Sequence, residues 1–181
     1  MKIFIGGKIR EGYFRKGLVE GNVRYHYDDN GTELKDFDAI KKLLEINGTI
    51  VLKNAIFDKY DYTGAFFIGS GDNKKAKNLG KKENKDQNKK IAGSKRLVAN
   101  IALQNVSNCD MFFAWLDTED AFGTIVEIGY AKALGKPIYL AGYEKFREMW
   151  FVYKMADEFV YHDEPKEALR LSIEDYEKKY Q

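Results

Sequence analysis

In 181 residues there are one cysteine, two prolines, two histidines and two tryptophans. The lone Cys109 has no intrachain partner for a disulfide, so the chain is not a small bridged scaffold, and the reducing cytoplasm is the expected compartment. Two prolines and 16 glycines exclude collagen-like and low-complexity classes. His26 and His162 are too few for a histidine-based metal site and no Cys/His cluster accompanies them, so neither metal nor cofactor is expected. No apolar run approaches the ~18–20 residues that cross a bilayer. The opening Met1-Lys2-Ile3-Phe4-Ile5-Gly6-Gly7 is too short for a signal peptide and reads as a first strand ending in a turn.

What the chain does have is core material. Hydrophobic residues make up 44% and 12 Phe and 12 Tyr are present, which excludes wholesale disorder and suits a single domain over residues 1–181. Net charge is only +2, but it is unevenly spread. Ten lysines and arginines lie between Lys74 and Arg96 against Glu83 and Asp86, leaving the rest of the chain net acidic. Leu79 is the one large apolar residue between Lys74 and Lys90, so this stretch reads as a lysine-rich solvated loop or insertion at about residues 73–92. Its cations suit a phosphate. Nucleic acid is the least favoured partner, because no arginine–aromatic interleaving is present.

Short apolar runs alternate with helical periodicity. Strands are expected at Ile3–Ile5, Thr49–Leu52, Ala65–Ile68, Met111–Leu116, Ile138–Ala141 and Glu158–Tyr161. Helices are expected behind Asp36 (Phe37, Ile40, Leu43, Leu44), over Ser94–Val106, from about Thr124 to Leu134, over Glu144–Met155 and over Pro165–Tyr180. Met111–Leu116 is apolar throughout, as a central parallel strand should be. The alternation predicts an α/β fold: a doubly wound, flavodoxin-like or Rossmann-like parallel sheet of about five strands with helices on both faces. Ligands of such sheets sit beyond the strands' carboxyl ends at a switch in strand order, which gathers Gly6-Gly7, Gly69–Asp72 and Asp117–Glu127. Gly69-Ser70-Gly71 lacks the rest of a dinucleotide fingerprint or P-loop.

Glu127 is the residue that stands out. It is the only acid between Thr124 and Glu144, on a stretch otherwise apolar or small. Two readings compete. Thr124 and Glu127 have capping-box spacing, which would spend the carboxylate on helix-end amides. Alternatively, a carboxylate on a buried helix must be hydrogen-bonded or functional, and a first-turn position favours the ionised form that a nucleophile needs. Asp72 is either a plain turn residue or an acid near the same site. Cys109 reads as a small buried residue, and Trp150 is open between core and oligomer contact.

Asn108-Cys109-Asp110-Met111 through Trp115-Leu116-Asp117, followed by Gly123-Thr124-Ile125-Val126-Glu127-Ile128-Gly129-Tyr130-Ala131-Lys132-Ala133-Leu134-Gly135-Lys136-Pro137, resembles the signature of the nucleoside 2-deoxyribosyltransferase family. The flanks are similar more loosely, at Lys2–Gly7, Tyr62–Ile68 and Met149–Asp157. The resemblance implies an enzyme of retaining glycosyl transfer on 2′-deoxynucleosides or their monophosphates. Glu127 would attack C1′ and hold a deoxyribosyl ester until another base or water takes the sugar. Asp72 would be the proton donor to the leaving base. Gly6, Gly7, Asp117, Asp120, Gly123 and Met149 would bind substrate, Asp120 at the sugar hydroxyls with Asp117 as the fallback. It also implies a homo-oligomer in which a neighbouring subunit completes the pocket near Met149. Lys8, Ala65 and the lysine-rich segment depart from the family's pattern. They motivate the alternative of a non-catalytic nucleotide-binding or signalling module on the same fold.

Overall fold

The structure, a computed structural model, describes residues 1–8, 14–20, 24–25, 51–68 and 99–181. The expected strand start at Thr49, the helix behind Asp36, Gly69–Asp72, His26 and the lysine-rich segment lie outside the described residues. In chain order come β1 (Lys2–Gly7), a 3-10 turn (Phe14–Gly17), β2 (Arg24–Tyr25), β3 (Leu52–Ile56), β4 (Tyr60–Gly64) and β5 (Phe67–Ile68). A helix described over 99–108, α1, leads into β6 (Met111–Leu116), α2 (Phe122–Ala133) and β7 (Ile138–Gly142). A 3-10 stretch (Glu144–Met149), α3 (Trp150–Tyr153), β8 (Glu158–Tyr161) and α4 (Pro165–Tyr180) complete the chain.

Six strands form one sheet in the order β3-β4-β1-β6-β7-β8. The β1, β4, β6, β7 and β8 pairings are all parallel, and β3 is antiparallel to β4 at one edge. The five parallel strands therefore follow the flavodoxin-like 2-1-3-4-5 order, whose switch lies between β1 and β6. β6 is central and buried at every position, as its unbroken apolar run requires. On one face α2 supplies Ile128 and Ala131 to a core with Phe4, Phe112, Ala114, Leu116, Ile138 and Leu140. On the other, α4 supplies Ala168, Leu169 and Ile173 against Ile3, Ile5, Phe113, Trp115 and Tyr139. Helices thus cover both faces of a doubly wound α/β sheet.

Two expectations, one about the sheet and one about a helix, need correcting. The third strand does not run over Ala65–Ile68: β4 precedes it, and Phe67–Ile68 pairs instead with Arg24–Tyr25 in a separate two-stranded sheet. The cause is a tight β3–β4 hairpin in which Phe57 and Asp58 adopt positive φ of 52° and 53°. Neither residue is the glycine or asparagine that advertises such a turn. The stretch expected to be one helix over Glu144–Met155 is a 3-10 turn followed by the four-residue α3.

α2 ends as the sequence suggests. Gly135 takes φ 65°, its N–H donates to the Lys132 carbonyl at 3.0 Å, and the Lys136 N–H donates to the Ala131 carbonyl at 3.0 Å. This is the paired Schellman closure that a glycine just past a helix allows.

Candidate active site

The carboxyl ends of the central strands finish flush. Gly7 pairs with Trp115, and Leu116 with Gly142. Beyond that row lie Lys8, Asp117 and Tyr143, the first residues of the loops that a switch-point site uses. Gly6 and Gly7 have protein atoms where a side chain would go. A Cβ on Gly6 would lie 3.2 Å from Phe112 and from the Thr124 methyl. One on Gly7, whose φ is 142°, would lie 2.6 Å from the Phe14 ring and 2.8 Å from the Trp115 carbonyl. Both glycines thus serve close packing of β1 against its neighbours.

Helix α2 starts at Phe122, with Ala121 at its N-cap and no side-chain cap. Thr124 is therefore inside the first turn rather than at the cap, and the capping-box reading of Thr124 and Glu127 fails. The buried Thr124 hydroxyl is used elsewhere. Its Oγ1 accepts the Gly7 N–H at 3.1 Å, tying the end of β1 to the start of α2. Glu127, one turn further on, makes no hydrogen bond to a described residue. The residue is half-buried, yet its carboxyl is deep enough that burial pushes its pKa up to about 7, against an opposing pull from the Arg15 guanidinium. A carboxyl in that range is split between its two forms near neutral pH, and its ionised form is poorly hydrated. A helix-capping carboxylate would instead be held in its ionised form by the amides it accepts from.

Arg15 has nothing in its sequence context to single it out. It sits 1% exposed in the turn after β1, donating from Nε and Nη2 to the Ile5 carbonyl (3.1 and 2.9 Å) and from Nη2 to the Gly7 carbonyl at 3.0 Å. A basic residue in a short Phe-Arg-Lys-Gly turn gives no local sign of burial; only tertiary packing reveals it.

The other candidates are distributed around the same edge. Asp120 is exposed and pairs with Lys8, accepting also from the Thr118 hydroxyl. The Lys8 ammonium first, and Thr118 second, hold its carboxyl down to about 2. Lys8 is thus the basic group that engages Asp120. Asp117 is half-buried at the end of β6, and Gly123 is exposed in the first turn of α2 with open space where a Cβ would be. Met149 ends the 3-10 stretch after β7 and packs, half-buried, against the α2 face of the core. Asp72 lies outside the described residues. Cys109 is buried, its thiol pushed up to about 12 by burial and donating to the Val106 carbonyl at 3.1 Å, as an inert core thiol does. Among the described residues no group of three His, Cys, Asp or Glu side chains is placed to hold a metal ion, and no helix is long and apolar enough to cross a membrane.

A sequence model of the nucleoside 2-deoxyribosyltransferase family matches residues 28–178. The chain belongs to that family. The matched span includes Glu127, Asp120, Asp117, Gly123, Met149 and Asp72, and it begins after β1, leaving Gly6, Gly7 and Arg15 outside it. No curated protein matches the chain. Among solved structures it is similar to the CMP N-glycosidase BcmB of Clostridium botulinum, at 14% identity over 96% of this chain and 99% of that one, with a TM-score of 0.40. Family membership makes this an enzyme of the deoxyribosyltransferase kind.

Proposed function

We propose that this enzyme cleaves the N-glycosidic bond of a 2′-deoxynucleoside or its 5′-monophosphate and passes the sugar to a second nucleobase or to water. The observation that supports the reading most is the state of Glu127: uncapped, deep in the first turns of α2, beside the β1–β6 switch, with its pKa raised to about 7. An ionised Glu127 oxygen forms a bond to C1′ as the C1′–N bond breaks, its electron pair leaving with the base. The base nitrogen takes a proton, for which Asp72 is the proposed donor. Water or an acceptor base then attacks C1′ and displaces the carboxylate. Two steps through an ester replace one hard displacement, and a carboxylate facing C1′ also stabilises the oxocarbenium-like charge. Asp120 and Asp117, at the loop between β6 and α2, are the proposed sugar contacts, and the cations Lys8 and Lys74–Lys90 would favour a 5′-phosphate.

The test mixes a 2′-deoxynucleoside, or its monophosphate, with a different free base and follows exchange and base release by chromatography. Turnover in the parent and a loss of at least ~10³-fold in Glu127→Ala are expected. Mass spectrometry of acid-quenched enzyme should find the deoxyribosyl adduct on the peptide carrying Glu127. A nucleotide that raises the melting temperature with no product formed would replace this reading with that of a non-catalytic binding module.

A further inference from the structure

We propose that Arg15 is a positioning residue for Glu127, holding the carboxyl end of β1 against helix α2 and supplying a fixed positive charge beneath the site; the inference rests on the reading of Glu127 as nucleophile. The geometry is a short chain of contacts with Gly7 at its centre. The Gly7 carbonyl accepts from Arg15 Nη2, and the Gly7 N–H donates to Thr124 Oγ1, one helical turn before Glu127. Both polar groups of the last β1 residue are thus committed, one to Arg15 and one to the helix that carries Glu127.

The guanidinium itself is fixed. Its fork also donates to the Ile5 carbonyl, and its Cζ lies 4.5 Å from the centre of the Phe14 ring. The same ring fills the space left by the missing Gly7 side chain. Planarity and five donors in a rigid fork are what distinguish arginine from lysine in such a setting. Burying a charge is expensive, and an apolar side chain of similar length would fill this space more cheaply. The expense has a counterpart in Glu127, where burial disfavours the anion and the Arg15 charge favours it.

Other charged groups near α2 are accounted for on each element packed against it. β1 leads to Lys8, which is engaged by Asp120. β6 leads to Asp117, which is half-buried, and to Asp120, which is exposed and engaged by Lys8 and the Thr118 hydroxyl. β7 contributes Tyr139, which belongs to the opposite core face and donates to Asp175 at 3.0 Å. Among the described residues, Arg15 is the one whose field is resolved at the Glu127 carboxyl. It also precedes the span that matches the family, residues 28–178.

Two variants of the full chain separate charge from fork. Arg15→Gln keeps a donor for the β1 carbonyls and removes the charge; Arg15→Lys keeps the charge and removes the planar fork. In the parent, kcat/KM for base release should rise with pH along an acid limb near pH 7. In Arg15→Gln the limb should move up by about one unit, so that the loss at pH 6 exceeds the loss at pH 9 by about 10-fold. In Arg15→Lys the limb should stay within a few tenths of a unit of the parent, with a lower plateau. A limb that stays put in Arg15→Gln, or one that moves as far in Arg15→Lys, overturns the proposal. A second measurement does not depend on turnover. At pH 5, where Glu127 is protonated, the melting-temperature loss caused by Arg15→Gln should be the same whether or not Glu127→Gln is also present. At pH 8 the loss should be about 3 °C greater with Glu127 than in the Glu127→Gln background. Equal losses at pH 8 refute the coupling. A parent that shows no turnover at any pH refutes the nucleophile reading instead, and the melting data still report on the pair.

Discussion

Thr124 and Glu127 stand three residues apart, a spacing that fits both a helix cap and a reactive carboxylate, and one hydrogen bond separates the two. The helix begins at Phe122, so Thr124 lies inside its first turn and not at the cap, and the Thr124 hydroxyl accepts instead from Gly7, across the gap between β1 and α2. Among the described residues, Glu127 then has burial and no compensating amides. This has a stability consequence whose sign can be worked out. A carboxyl raised from 4.5 to about 7 on folding costs the native state nothing below pH 4.5, where both states are protonated. The cost grows as pH rises to about 7 and is constant above that. Its upper bound is about 3 kcal/mol. Glu127→Gln should therefore melt about 3–8 °C above the parent at pH 8, with the gain shrinking to near zero at pH 4.5. Thermal melts across that range check it, and a gain independent of pH would contradict a carboxylate whose ionisation is opposed by burial. At this scale Glu127 is legible because it is a lone acid in an apolar helix. Arg15 is not, because nothing within a few residues of it signals that Ile5, Gly7 and Phe14 will enclose it.

Elements are legible where one physical signal dominates. The continuous apolar run Met111–Leu116 forms the central strand with the expected bounds, and Pro165–Tyr180 forms a helix with its proline near the first turn. Where pattern and turn chemistry disagree, the sequence misleads. Ala65–Ile68 is the more apolar stretch, yet Tyr60–Gly64 takes the place beside β1, because the hairpin at Phe57 and Asp58 sets its register against β3. Close approach between elements is likewise invisible in sequence but measurable in structure. A Cβ on Gly142 would lie 2.4 Å from the Leu116 carbonyl oxygen, on the central strand. Backbone cannot swing aside as a flexible side chain can, so β6 and β7 would have to separate where their carboxyl ends are flush. Gly142→Ala should cost at least ~2 kcal/mol. Urea unfolding with an unchanged m-value measures it. A variant as stable as the parent would mean that the β6–β7 edge is looser than its register implies.

For the molecule as a whole, the question is what covers the apolar surface around the site. Phe122 and Val126 lie one turn apart on α2, on the side away from the core, 73% and 64% exposed. Trp150 and Phe151, directly after Met149, are 62% and 61% exposed. The sequence leaves Trp150 open between core and contact; in the structure it is not core. Four large apolar side chains at the first turns of α2 and on α3, next to residues proposed to bind substrate, are more than scattered exposure on a monomer explains. A symmetric pairing of two copies through these side chains would take them out of water, and it is the arrangement the family resemblance implies, with the region near Met149 of one copy proposed to complete the site of the other. The parent should therefore sediment as a dimer or larger at micromolar concentration. Trp150→Glu, which places an unpaired charge in the contact, should shift it to monomer and lower turnover with it. Sedimentation velocity and the exchange assay, run on the same samples, test both statements together. A fully active monomer would show that each chain completes its own pocket, and the exposed aromatics would then need a different partner.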